Sequence, residues 1–438
     1  MAVLATDAGL SAVVAQPCQM RPRFKAPLVF CSVNSAGPCA GLEGCQESRP
    51  TGLALGLLVG SDNRPDVVIC NSNLGTVSVF RNTGHWDVPP GPNCALEHVA
   101  GSPFDVGGKP NEAELADIDF DGDLDVIVAV DVLADDRAQL AILKNDGAGT
   151  FATQFVPLDS RFAADLVAWD FDTNGTVDVV VAGTRITDNE QRPRAELVRQ
   201  QPAGTFNSII FEMSANVFGQ GVGIDKGEIR QPAIPGRLDV VMVSDVLAPD
   251  GFGRMLVLIN DTQVGDQIFA PTETRSSPGA RGVAIGHFFT TSKRASAIVT
   301  RPGDHLAEVW HADLGGVFDD QPAGSYPLGG ATDPYGVAVS KLSPDQLEDF
   351  VVAARLGAPC SGHGGLVAYT AYGYAPYDGQ FCDPPNLFCV DPAGQPKPQY
   401  VECADMNSDG FPDVVTTHTT ANQFSVLLND LFIIPGGF

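Results

Sequence analysis

Seven times along this chain a short β-branched run begins at nearly the same phase: Asp66-Val-Val-Ile, Asp125-Val-Ile-Val, Asp178-Val-Val-Val, Asp239-Val-Val-Met, the weaker Ser296-Ala-Ile-Val, Asp349-Phe-Val-Val and Asp413-Val-Val-Thr, spaced by 53 to 64 residues. A period carried through most of 438 residues points to repeated units rather than to one enlarged core. Before the runs lie alternating apolar stretches such as Glu114-Leu-Ala-Asp-Ile, Asp165-Leu-Val-Ala-Trp and Tyr400-Val-Glu-Cys-Ala. After them come strand-like stretches such as Val77-Ser-Val-Phe, Leu140-Ala-Ile-Leu and Phe424-Ser-Val-Leu-Leu, then turn residues, as in Lys144-Asn-Asp-Gly-Ala-Gly-Thr-Phe151, and a last extended piece. Each unit thus supplies about four short strands.

No segment with a 3.6-residue apolar period is available to cover such sheets, so the sheets must cover one another. Radial packing of seven four-stranded units does this and leaves only short outer edges open. The expected fold is therefore all-β, a seven-bladed β-propeller of antiparallel blades. For ring closure, the strand-like Phe24–Phe30 is expected to complete the C-terminal blade, with residues 1–23 as an arm before a single propeller domain, 24–438. The alternative is that Phe24–Phe30 lies on the surface as an ordered arm.

Three units carry acidic side chains at alternating positions ahead of the strand aspartate. They are Asp117, Asp119, Asp121, Asp123 and Asp125; Asp170, Asp172, Asn174, Thr176 and Asp178; and Asp405, Asn407, Asp409, Phe411 and Asp413. A hard cation takes about six to eight oxygens, and positions 1, 3 and 5 of a tight loop converge on one point. Glycine at position 6 (Gly122, Gly175, Gly410) allows the turn that brings in the position 7 carbonyl, of Asp123, Thr176 or Phe411, and the position 9 carboxylate closes the shell. Asp, Asn and Gly are also ordinary turn formers, but three loops with the same ligand pattern at the same phase of the repeat favour metal. The oxygens, without His or Cys, exclude zinc and favour calcium over magnesium. The corresponding loops of the first, fourth, fifth and sixth units lack the pattern, so three ions are expected.

These residues resemble the FG-GAP or VCBS repeats found in the integrin alpha-subunit propeller and in bacterial secreted proteins. The resemblance rests on the three loops, the Val-Ala-type strand before them and the turn from Asn145 to Phe151, and it spans residues 51–430, strongly in three repeats and weakly in four. It implies a propeller with calcium held between the first two strands of a blade. It implies no single activity, since such propellers serve adhesion, carbohydrate recognition and enzyme scaffolding.

A net charge of -27, from 53 Asp plus Glu against 26 Lys plus Arg, excludes a basic nucleic-acid footprint. No apolar stretch reaches the length of a membrane span. The ten cysteines leave the middle of the chain, 95–359, empty. An even count and calcium loops favour an oxidising exterior, so the expected location is extracellular, cell-surface or periplasmic. Cys382 with Cys389 is the expected local pair, and Cys31, Cys39 and Cys45 are expected to staple the segment before the first blade. The N-terminal Met-Ala-Val-Leu-Ala-Thr-Asp lacks a basic n-region and does not read as a complete secretion signal.

No catalytic motif stands out among the seven histidines, which read as surface or strand-packing residues, and Trp169 is expected to pack between blades. The favoured function is a binding or adhesion module for a protein or carbohydrate ligand. The alternative is a polysaccharide lyase or hydrolase with its site at the channel mouth. The ligand surface is expected on the irregular insertions Asn82–Lys109, Thr184–Arg194 and Gly357–Pro398.

Overall fold

In the computed structural model the described residues are 22–430 apart from 34–44, 87–94, 188–189, 202–203, 215–216, 247, 265–266, 290–293, 346, 357–359, 361–363, 372–379, 383 and 391–396. All regular structure among them is β. Blade 1 comprises β2 (Pro50–Gly56), β3 (Asp66–Asn71), β4 (Thr76–Asn82) and β5 (Leu96–His98), with β6 (Phe104–Asp105) as an added partner of β4. Blade 2 is β7 (Lys109–Ala116), β8 (Asp125–Val132), β9 (Arg137–Asn145) and β10 (Phe151–Pro157). Blade 3 is β11 (Phe162–Trp169), β12 (Asp178–Thr187), β13 (Glu190–Gln200) and β14 (Phe206–Glu212). Blade 4 is β15 (Gly221–Gly227), β16 (Asp239–Ser244), β17 (Gly253–Val264) and β18 (Gln267–Ser276). Blades 5 and 6 follow the same order, β19 (Val283–Gly286) to β22 (Gly324–Pro327) and β23 (Val337–Ser340) to β26 (Asn386–Cys389).

Blade 7 takes three strands from the C-terminal end, β27 (Pro398–Ala404), β28 (Asp413–His418) and β29 (Gln423–Leu427), and its fourth from β1 (Leu28–Cys31). Leu28 pairs with Val426 and Cys31 with Gln423, and Phe24 bridges to Asn429. The closing strand is the expected one, starting later than Phe24. Residues 1–21 of the expected arm lie outside the described residues.

The β-branched runs owe their composition to burial on both faces. In β3, Val67 and Ile69 join the core shared with blade 7, whereas Val68 and Cys70 join the core shared with blade 2. The same alternation runs through Val126 and Ile127, Val179 and Val180, Val240 and Val241, Ala297 and Ile298, Phe350 and Val351, and Val414 and Val415. Seven apolar layers result, one at every junction between neighbouring blades. The seam layer stacks Phe30 on Phe424 at 5.3 Å and sets Phe80 of blade 1 at 5.1 Å from Phe424.

Thr184–Arg194 is not the irregular insertion expected: it is the regular end of a β-hairpin, in which Thr184 pairs with Pro193 and Thr187 with Glu190. Its polar residues and proline hid a strand pattern that cross-strand pairing supplies. The cysteines also need a correction. Cys389 bonds to Cys360, not to Cys382, which is itself in another disulfide. β26 carries Cys389 back alongside β25 (Gly364–Tyr369), and the chain entering β25 passes Cys360. A Cys31–Cys45 disulfide staples the segment before the first blade, where a staple was expected without its pairing, while Cys39 lies outside the described residues. Cys70 and Cys403 are free thiols.

Candidate functional site

The three expected metal loops join the first two strands of blades 2, 3 and 7, and they share one backbone. Position 4 is left-handed in each (Phe120, φ 62°; Thr173, φ 55°; Ser408, φ 61°), as is the glycine at position 6 (Gly122, φ 98°; Gly175, φ 84°; Gly410, φ 91°). That glycine amide donates to the position 1 aspartate in every loop, at 3.1 Å to Asp117, 2.9 Å to Asp170 and 2.8 Å to Asp405. The amide of position 7 donates to the side-chain oxygen of position 5, at 3.0 Å to Asp121, 2.7 Å to Asn174 and 3.0 Å to Asp409. These turns aim the carboxylates inward.

In two loops the carboxylates converge: oxygens of Asp117, Asp119 and Asp121, and of Asp170, Asp172 and Asp178, lie within 4.8 Å of one another. That is about twice a calcium–oxygen bond, the spacing of ligands around one ion. Asp117 Oδ1 and Asp178 Oδ2 are buried without a well-formed hydrogen bond, so each loop keeps an acceptor for a cation. Both donor sets fit calcium. The third loop has Asn407 at position 3, and its amide donates to Asp409 Oδ2 at 2.9 Å. No group of three converging carboxylates forms there among the described residues.

The position 9 aspartate has a role the sequence did not disclose. Asp125 accepts the amides of Ile118 and Asn145, each at 2.8 Å, and Asp413 those of Met406 and Asn429 at 2.8 and 2.7 Å. Asp66, Asp239 and Asp349 do the same in blades without the ligand pattern. The aspartate thus clips the loop to the end of the third strand, which explains its recurrence in six blades. The residue it holds reaches onward: Asn145 donates to Leu58 O at 2.7 Å, Gln200 to Ile118 O at 3.1 Å, Asn260 to Phe171 O at 2.8 Å, and Asn429 to Leu342 O at 3.0 Å. Each of these amides ties its blade to the one before.

Burial and like charge oppose ionisation in these loops. Burial, then Asp172 and Asp170, push Asp178 up to about 7, and burial with Asp409 and Asp405 does the same to Asp413. Asp125 is raised to about 6 by burial, helped by Asp119 and Asp121. Protein cations relieve part of the charge, Lys144 lying 3.5 Å from Asp119 and Arg199 pairing with Asp172.

A second acidic locus lies on the axis. All seven innermost strands line a channel of about 320 Å³. Glu112, Glu114, Asp165, Asp225 and Glu402 occupy its wall with Lys226 and Tyr400, while Leu55, Ile285, Val337 and Val339 make it apolar elsewhere. Several acids stitch inner strands too far apart to pair: Glu112 accepts Leu53 N at 2.9 Å, Asp165 accepts Ile224 N at 3.0 Å, and Asp225 accepts Ile285 N at 2.7 Å. Burial, then Asp225 and Glu114, push Asp165 up to about 7, and burial raises Asp225 to about 6. Glu112 and Glu402 stand well above the carboxylate range, first through burial and then through neighbouring acids.

Among the other expected features, the Trp169 indole donates to Gly236 O of blade 4 at 3.0 Å, joining two blades from an exposed position rather than from within their core. His98, His311 and His418 are pushed well below the usual imidazole range by burial, as packing residues are. His363 lies outside the described residues, as do 87–94 of the expected insertion 82–109 and 357–359, 361–363, 372–379, 383 and 391–396 of 357–398; the described remainder is not wholly irregular, since it contains β5 and β6 in the first and β25 and β26 in the second.

Residues 117–181 match the family described as FG-GAP-like repeat, a span that begins at the first converging loop and ends just past the second. This segment resembles an FG-GAP-like repeat. The FG-GAP-like segment sits in a ring whose shape is shared more widely: a structure described as "Structure of Dos1 propeller" superposes with a TM-score of 0.51 at 13% identity, covering 92% of this chain and 84% of that one. That likeness is one of fold. No curated protein matches the chain. No helix among the described residues is long and apolar enough to cross a membrane.

Proposed function

We propose that this protein is a calcium-binding propeller of the extracellular space, cell surface or periplasm, acting as a binding or adhesion module for a protein or glycan. The observation that carries the reading is the convergence of carboxylates in two loops of one backbone design, each retaining a buried acceptor oxygen. In it Asp117, Asp119, Asp121, the Asp123 carbonyl and Asp125 hold one ion, and Asp170, Asp172, Asn174, the Thr176 carbonyl and Asp178 a second. The shared backbone extends the assignment to Asp405, Asn407, Asp409, the Phe411 carbonyl and Asp413, for three ions. The disulfides Cys31–Cys45 and Cys360–Cys389 support an oxidising compartment.

Calorimetric titration of the chelator-treated protein with calcium should give three ions, and Asp121→Ala or Asp409→Ala should each remove one. Calcium at about 100 times its dissociation constant should add roughly 2.7 kcal/mol of stability per site, so chelation should lower the melting temperature without abolishing the fold. An unchanged melting curve overturns the metal assignment. The ligand half is tested on a glycan array beside a release assay with acidic polysaccharides. The lyase or hydrolase alternative draws on Asp165, raised to about 7 in the channel, and product release abolished by Asp165→Asn would replace the binding reading.

A further inference from the structure

The channel treats its acids unequally. Lys226, on blade 4, reaches across to pair with Glu114 on blade 2. Burial works against its charge, yet Glu114, Asp225 and Glu402 together keep its ammonium above the ordinary lysine range. Among the described residues no Lys or Arg forms an ion pair with Glu112 or Asp165. Glu112 is 94% buried, lines the cavity, and leaves Oε2 without a hydrogen-bond partner. A buried carboxylate oxygen without a donor, on a residue that lines a cavity, leaves acceptor capacity for a donor there.

The kind of cation follows from the rest of the wall. The only carboxylate groups that converge closely enough for a metal, among the described residues, are those of the two loops, so the channel acids are too dispersed to share one small ion. Opposite them the wall is apolar, and Tyr400 and Tyr335 stand together at 5.8 Å between ring centres, lining the channel and a smaller adjoining cavity. A hydrocarbon body with a cationic head matches aliphatic wall, phenol rings and acid at once. Lys226, itself part of the lining, already sets an ammonium against one of these acids, Glu114.

We propose that the channel binds a small organic ammonium ion, its charge against Glu112 and Asp165 and its carbon body along Leu55, Ile285 and Val337. The site stands apart from the calcium loops and does not depend on their being loaded.

The probes are n-pentylamine and, as its uncharged counterpart, 1-pentanol, titrated calorimetrically into the calcium-loaded protein near neutral pH. Saturable one-site binding of the amine and none of the alcohol is expected. Glu112→Gln and Asp165→Asn should each weaken the amine by about tenfold or more, the loss of one charge-assisted hydrogen bond. Should either variant fail to fold by circular dichroism, the wild type still decides. Amine binding at about pH 6 should release protons, seen as heats that change with the buffer's ionisation enthalpy. Absence of saturable binding, equal binding of the alcohol, folded variants that bind as wild type, or displacement of the amine by calcium chloride would each overturn the proposal.

Discussion

In blade 4, Asp239 takes the amides of Ile229 and Arg230 on one oxygen and that of Asn260 on the other, while the Arg230 guanidinium donates to Asn260 O at 2.8 Å. In blade 3, Asp178 takes the Gln200 amide at 2.9 Å and keeps its other oxygen buried among Asp170 and Asp172. The same residue at the same strand head is self-sufficient in one blade and unfinished in the next. Where the loop supplies its own cation and amides, the clip closes the blade. Where the blade 3 loop is acidic, the clip to the third strand still forms, and the second oxygen of Asp178 keeps an open acceptor. At the channel the two blades are alike, since Asp165 and Asp225 each accept the amide that follows and one from the neighbouring blade.

The comparison breaks most visibly at the clips. Asp239→Ala strands three amides, two of them buried, and should cost about 3 kcal/mol, equally with calcium and with chelator. Asp178→Ala should cost about as much in calcium but clearly less in chelator, because part of its effect is the lost ion. Urea unfolding under both conditions measures this, and a calcium-dependent Asp239→Ala would erase the distinction between the blades.

A smaller effect tests their likeness at the channel. Asp225 is raised to about 6 when folded, above its unfolded value, so at intermediate pH the folded state retains a proton that the unfolded state has released. Stability is therefore greatest below the unfolded value and falls as pH rises through about 6, with a slope of at most about 1.4 kcal/mol per pH unit for one proton. Asp225→Asn should remove that slope, and Asp165→Asn should remove a similar one reaching to about 7. Melting temperatures across this range, taken in calcium, would refute the parallel if stability rose with pH or if only one variant changed it. The smallest effect belongs to Trp169→Phe, which loses a single exposed hydrogen bond to blade 4 and should cost about 0.5–1 kcal/mol in urea unfolding.

What could be read in advance was whatever recurs locally. The strand aspartates, the β-branched runs and the closing strand, expected over Phe24–Phe30 and found at Leu28–Cys31, were legible in residue order. So was the turn that the three acidic loops share, because a glycine at a left-handed position and Asx turns are set within nine residues, whereas the convergence of carboxylates appears in two of the three. The Asn145 amide bond to Leu58 was hidden by a separation of 87 residues. The channel acids were hidden by bulges. Register shifts fall between Pro110 and Glu112, Ala163 and Asp165, Gly221 and Gly223, and Pro398 and Val401. Each shift re-aims the inner strand, so period-two counting cannot assign which of its side chains faces the axis.

The borrowed strand of the last blade also imposes a schedule. During synthesis Leu28–Cys31 emerges early, while Val426 and its neighbours, the partners it will zip onto, leave the ribosome hundreds of residues later. Until then the nascent polypeptide carries an unsatisfied edge and an uncovered apolar seam around Phe30 and Phe80. The circle is latched last, by one strand made before the other six blades and three made after them.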